Sequence, residues 1–170
     1  MRASLGEIET ALESLARSVA TDFAATTIEE LPPAVDADRA WGALTDSGLL
    51  NLRADGASIL GLVVRAEQFG ATLSAVPFIG AALARELVGG TEDRIVASLD
   101  GHLAVDALGA EKLAFVHHGH AHRIAAEPRD RTADRSRVAA RATGGDLVSI
   151  QRTDEDRFLA TARVLVSGDT

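Results

Sequence analysis

Four histidines between positions 117 and 122, namely His117, His118, His120 and His122, form the densest group of chemically capable side chains in the sequence. On an extended strand His118, His120 and His122 project from one face, and imidazoles grouped in this way can bind zinc, nickel or copper. No carboxylate is spaced to complete such a set, and Gly119 marks a turn that would break the alternation. The group therefore reads as solvated hairpin histidines, with no metal site. Glu67 and Glu86 stand among apolar neighbours, where a buried carboxylate could serve as a base. Unpaired carboxylates are rarely buried, so both are read as glutamates on exposed helix faces. Arg129, Arg131, Arg135 and Arg137 could grip phosphates, but Asp130 and Asp134 are interleaved with them, which is the pattern of a solvated loop. The pairs Gly89-Gly90 and Gly144-Gly145 belong to no phosphate-binding motif and read as a helix stop and a tight turn. No catalytic residue is assigned, and the residues that would bind a cofactor are left unassigned.

The elements that must carry these residues change in character near residue 100. Ser4 followed by Glu7 fits a capping box, after which Leu5, Ile8, Leu12, Leu15, Val19 and Phe23 recur at helical spacing. A second helix is expected from Asp38 to Ser47, after the breaker Pro32-Pro33, with Asp36 or Asp38 as cap and Gly48 at its left-handed end. A third runs from Ser58 to Phe69, with Leu62, Val63, Ala66 and Phe69 inward and Gly70 at its end. The fourth spans Val76 to Val88, with Pro77 in its first turn, and a short fifth is expected from Thr91. Beyond these, Leu103–Ala107, Lys112–His118, Ala121–Ala126, Arg137–Ala142 and Asp146–Gln151 alternate in character and are punctuated by Gly, Pro or Asp, the signature of short antiparallel strands. Glu127 to Arg137 reads as an exposed loop. A last helix is expected after Thr153, with Phe158, Leu159, Ala162, Leu165 and Val166 on its apolar face. The fold class is α+β: a helical bundle over 1–100, a small antiparallel β domain over 101–153, and a terminal helix over 154–170.

Composition narrows the function classes. The 170 residues carry 25 acidic and 17 basic side chains, a net charge of −8, which disfavours nucleic acid and anionic membrane surfaces as partners. Lys112 is the single lysine, and there is no cysteine, which excludes disulfides, thiolate catalysis and cysteine-ligated metals. Aromatic residues are 4%, too sparse for a base-stacking platform. No apolar run approaches the ~20 residues that span a bilayer, and the first residues, MRASLGEIET, lack the apolar core of a signal peptide. A cytoplasmic protein is expected.

The order of helices, small sheet and further helix resembles the acyl-CoA dehydrogenase family. WGALTDSGLLNLRADG, Trp41 to Gly56, is similar to that family's W-x-x-L-x-x-x-G-L helix and turn. The stretch from Leu60 to Arg94 resembles its long helix ending in E-x-x-G, here Glu67 and Gly70, followed by a substrate-lining helix and a G-T-E turn at Gly90-Thr91-Glu92. The string DRTADRSRVAARATGGDLV is weakly similar to the family's S-L-D-P-T-R-R strand pair. The resemblance covers residues 5 to 165, most firmly 38 to 95, and implies FAD-dependent α,β-desaturation of an acyl-CoA thioester in lipid or sterol catabolism. It implies FAD as cofactor, acyl-CoA as substrate, and a homo- or hetero-oligomer with another acyl-CoA dehydrogenase chain. By position, Pro77, Phe78 and Ala81 would close the deep end of an acyl-chain pocket, the alternative being that Phe78 packs in the bundle core. The sequence departs from the family in a contracted β module. It also lacks the Thr/Ser-rich strand that cradles the flavin and the C-terminal region that carries the usual glutamate base. The chain is thus expected to be inactive alone. Leu159, Leu165 and Val166 have no evident partner layer, which favours self-association or docking. A non-catalytic partner of a full-length dehydrogenase and an unrelated helical binding module remain the alternatives.

Overall fold

A computed structural model of the chain describes residues 6–24, 27, 35–51, 59–89, 94–129, 138–143 and 148–152. Within them lie four helices, α1 (Glu7–Asp22), α2 (Ala37–Asp46), α3 (Ile59–Ala71) and α4 (Phe78–Val88). Six strands follow: β1 (Ile95–Ala97), β2 (Leu103–Ala104), β3 (Lys112–His117), β4 (His120–Arg129), β5 (Ala139–Ala142) and β6 (Val148–Arg152). The fold is α+β, with the helices preceding the sheet.

Each helix begins and ends for a local chemical reason. Gly6 is the N-cap of α1, and its N–H donates to the Glu9 carboxylate at 2.9 Å, so the cap lies two residues beyond the expected Ser4, which falls outside the described residues. Ala16, Val19, Ala20 and Phe23 are the buried stripe of α1, while Leu15 is 36% exposed. The small alanines at i+4 and i+8 from Leu12, rather than the larger Leu15, face the core. On α2 the cap is Asp36, whose side chain accepts from the N–H groups of Asp38 and Arg39 and contributes about 1 kcal/mol. Gly48, at φ +70°, follows α2 as expected. Gly70 does not end α3. The helix closes with Leu73 in the left-handed region at φ +50°, the Leu73 N–H bonding the Gly70 carbonyl and the Ser74 N–H the Phe69 carbonyl. That pair of bonds is a Schellman closure built on leucine.

The sheet runs in the order β1-β3-β4-β5-β2, with β6 also on β4. All pairings are antiparallel except β1 with β3, so the sheet is mixed rather than purely antiparallel. The parallel strand β1 comes from residues 95–97, inside the part assigned to the helical bundle, and stands where the short fifth helix was expected to continue. The strand expected over Leu103–Ala107 is only two residues long. β4 reaches Arg129, into the segment read as a loop. Its first half pairs with β3 and β6, and its second half with β5. Both β5 and β6 run antiparallel to β4, so they run in the same direction. Gly144-Gly145, the rest of the arginine run beyond Arg129, and the terminal helix with Leu159, Leu165 and Val166 lie outside the described residues.

One continuous core joins the helices to the sheet, taking in Phe23, Trp41, Leu44, Phe69, Phe78, Leu87, Val96 and Leu113. The junction is the segment between β2 and β3. Asp106 accepts the Gly80 N–H of α4 at 3.1 Å, supplying from a distance the cap that Pro77 lacks. The Leu108 carbonyl accepts the indole N–H of Trp41 on α2 at 2.8 Å. Gly109, at φ +63°, lies so close to α2 that a Cβ there would be 2.5 Å from the Ala37 Cβ. Arg94, just before β1, pairs with Asp38 of α2 at 2.6 Å.

Gly109→Ala should therefore lower stability by at least about 2 kcal/mol, combining left-handed strain with overpacking. Urea denaturation followed by the fluorescence of Trp41, the chain's single tryptophan, measures it. An unchanged midpoint would show that this junction does not hold the sheet to the bundle.

Candidate functional site

The first turn of α4 brings together the three residues expected to line a pocket. Pro77, Phe78 and Ala81 are all buried, and the Phe78 ring stacks on Phe69 of α3 with centroids 4.6 Å apart and 10° between planes. Offset aromatic pairs of this kind contribute about 0.5–1.5 kcal/mol beyond their buried area. Ala81, Ala82 and Ala84 are buried in the same core, and a Cβ on Gly80 would meet the Asp106 carbonyl at 2.5 Å and Val96 at 3.1 Å. The small residues of α4 thus let the helix lie directly on β1 and on the β2–β3 segment. Phe78 and Ala81 are thus part of the bundle core.

The carboxylates behave as the sequence suggests. Glu67 is exposed and Glu86 half-buried, and among the described residues no Asp or Glu is buried. The buried polar or charged side chains are Arg65, Ser74 and Ser98. Among the described strands, β1 to β5 carry no Ser or Thr, β6 carries Ser149, and no described carboxylate is buried.

Ser98 instead organises the turn into β2. Its hydroxyl lies 2.7 Å from the Leu103 carbonyl and accepts the Gly101 N–H at 3.0 Å. Asp100 accepts the N–H groups of His102 and Leu103 at 2.8 and 3.0 Å. Partial desolvation acts to raise the Asp100 carboxyl, but these hydrogen bonds, the Ser98 hydroxyl and nearby His102 together hold it below its ordinary value. The turn carries Gly101, at φ +74°, onto the ring of Phe115, where a Cβ would come within 2.9 Å.

Phe115 leads to the histidines. In the β3–β4 hairpin His117 pairs with His120, and Phe115 with His122. His118 and Gly119 form the two-residue turn with φ of +51° and +72°, the type I′ pattern that preserves the strand twist. The turn at Gly119 therefore keeps the alternation intact. The shared face carries His117, His120 and His122, while His118 belongs to the turn, a different trio from the one expected. The His122 ring stacks on Phe115 at 5.7 Å and stands 6.1 Å from His117 and 6.4 Å from His120, centre to centre. The His117 and His118 rings lie 3.9 Å apart, and among the described residues no group of three or more His, Asp or Glu side chains is placed to hold a metal ion.

Sequence reasoning missed Arg65, which lies on the apolar α3 and is only 2% exposed. Its Nε and Nη1 have no hydrogen-bond partner, and its side chain folds back over Gly61, where a Cβ would sit 2.8 Å from Nη1. Burial lowers its pKa, partly offset by the charge of Glu9 on α1. The only sequence signal was an arginine inside a helix whose neighbours Leu62, Val63, Ala66 and Phe69 all face inward. Compared with protein-family models and with curated proteins, the chain matches none.

Two outcomes follow. Arg65→Met, which removes a buried cation whose Nε and Nη1 have no hydrogen-bond partner while keeping most of the volume, should stabilise the protein by about 1–3 kcal/mol and raise Tm by several degrees. A fall in Tm would mean that the guanidinium has a stabilising role in this core. For Asp100, a lowered folded-state pKa means a stabilising contribution present above the ordinary carboxylate range and lost as pH falls through the folded value. Asp100→Ala should therefore destabilise at pH 7 by about 1 kcal/mol, with the difference from wild type shrinking below about pH 4. Denaturation midpoints across that range decide it.

Proposed function

We propose that this chain is an acyl-CoA dehydrogenase-like protein that acts with a second, flavin-bearing chain and is not catalytic alone. The reading rests on the sequence resemblance, and the observation that carries it furthest is the shared core. Four helices pack through α4 onto a small sheet, and the residues of the presumptive acyl end-wall, Pro77, Phe78 and Ala81, sit together at the start of that helix. Phe78 and Ala81 supply apolar surface suited to the far end of an acyl chain. The base and the flavin contacts come from the partner, a reading supported by the absence of a buried carboxylate among the described residues. The reaction class is FAD-dependent α,β-desaturation of an acyl-CoA in lipid or sterol catabolism, in the cytoplasm. No described helix is long and apolar enough to cross a membrane. An unrelated helical binding module is the competing reading, favoured by the burial of Pro77, Phe78 and Ala81.

The test is a visible absorption spectrum. Purified alone, the chain should be colourless and should not reduce an electron acceptor when given FAD and an acyl-CoA. Co-expressed with a full-length acyl-CoA dehydrogenase chain, the two should co-purify as a yellow complex whose flavin bleaches on adding acyl-CoA. A yellow, turnover-competent preparation of this chain by itself would overturn the division of labour. Failure to form any complex, together with no binding of acyl-CoA, would favour the binding module.

A further inference from the structure

Two costly features coincide in the first half of α3. Arg65 is 2% exposed, and its Nε and Nη1 have no hydrogen-bond partner. Nε carries one hydrogen and Nη1 two, so most of the guanidinium's donors meet no acceptor. A buried donor left in this way loses its hydration without compensation, and the loss is greater for a charged group. The second feature is Gly61, the third residue of α3. The Arg65 side chain folds back along the helix over it, where a Cβ would stand 2.8 Å from Nη1 and 3.6 Å from Cζ and Nη2. Glycine weakens a helix relative to alanine, and here it leaves the space that the guanidinium fills. Local rules broken together at one place are the mark of a functional site.

The electrostatic setting is that of an anion site. The guanidinium is directed to the N-terminal turn of α3, the positive end of that helix, and no acidic residue lies in that turn. Cation and dipole therefore oppose each other and favour the same kind of ligand. Burial lowers the Arg65 pKa, and the charge of Glu9 on α1 offsets only part of the effect. Glu9 does not accept from Nε or Nη1; its carboxylate accepts the Gly6 N–H at 2.9 Å and so caps α1. Further along the same two helices Arg17 donates to Gln68 at 3.0 Å, so α1 and α3 run in the same sense and their first turns lie together. Glu9 is half-buried, which puts this end of the pair close to the surface.

We propose that Arg65, folded over Gly61 at the N-terminal turn of α3, anchors a site for a small, singly charged carboxylate. The carboxylate oxygens accept from Nε and Nη1 in charge-assisted hydrogen bonds, which supply the acceptors these donors lack. A monoanion suits the place better than a phosphate dianion. The second negative charge would find no second cation, and would face both Glu9 and the chain's net charge of −8. The site rests on α1 and α3 alone. It is independent of the dehydrogenase reading, because an acyl-CoA thioester has no free carboxylate at its acyl end.

The experiment titrates isotope-labelled protein with sodium acetate and sodium propionate, at an ionic strength held constant with sodium chloride. The signal is the Arg65 Nε–H resonance, assigned by its loss in Arg65→Met. Both carboxylates should shift it saturably and raise the thermal midpoint by mass action. Inorganic phosphate, in mildly alkaline solution where it is a dianion, should bind at least about tenfold more weakly. Glu9→Gln keeps a side chain able to cap Gly6 and removes its charge, so it should tighten acetate binding at least about threefold. Arg65→Met, shown to be folded by circular dichroism, should lose the carboxylate-dependent rise in midpoint. Arg141→Met, which removes an exposed cation on β5, should leave acetate affinity within about twofold. No saturable shift at tens of millimolar acetate, or a rise in midpoint that survives in folded Arg65→Met, would overturn the site. Phosphate binding as tightly as acetate would overturn its assignment to carboxylates, as would an unchanged affinity in Glu9→Gln.

Discussion

The hydrogen bond from the Trp41 indole to the Leu108 carbonyl marks the constraint on which the rest of the structure depends. A polar contact from a helix to a loop 67 residues away costs ordering entropy on both sides, and it persists because the ring it anchors is almost fully buried. Around it the same short segment offers Asp106 to the start of α4 and brings Gly109 against Ala37 of α2. The sheet is thus held to the bundle at two helices by one loop. Neither part has a complete core without the other: α4 is buried against both α3 and the sheet, and its run of alanines is the consequence of being squeezed between them.

This sandwiching also governs what chemistry the fold can support. A helix buried on both sides presents its first turn to the interior, so Pro77, Phe78 and Ala81 contribute packing surface before they contribute a pocket wall. Charged groups are kept to the periphery, where pairs such as Arg17–Glu13 and Arg141–Glu127 add little stability. Among the described residues Arg65 is the exception, a cation on the apolar face of α3 that feels the charge of Glu9 on α1. No described carboxylate is buried.

The histidine hairpin belongs to a different part of the molecule and to a different physics. It lies at the far end of β3 from the junction, on the face that begins with Leu113 and Phe115 and becomes solvent-exposed toward the tip. Along that face the side chains pass from buried core to exposed imidazole in two pleats. The loop carrying Ser98, Asp100 and Gly101 covers Phe115, and Phe115 in turn orients His122. Order at the tip is inherited from the core through this stack.

Much of the local structure was legible in the sequence because it arises from interactions between near neighbours. Asp36 before α2, Gly48 after it, and the inward set Leu62, Val63, Ala66 and Phe69 follow from capping chemistry and helical period. The strands from Lys112 onward follow from alternation. What the sequence could not decide depends on contacts between distant segments. Gly6 rather than Ser4 begins α1, and Leu73 rather than Gly70 closes α3, because competing local signals of similar strength are settled by packing. A three-residue apolar run at 95–97 carries no mark of strand or helix, and it becomes a strand because β3 offers its edge and α4 its face. The trio His117, His120 and His122 was hidden for the same reason. A side chain's face is set by strand register, and register is set by the turn geometry and the buried partners Leu113 and Phe115, which only the tertiary structure brings together.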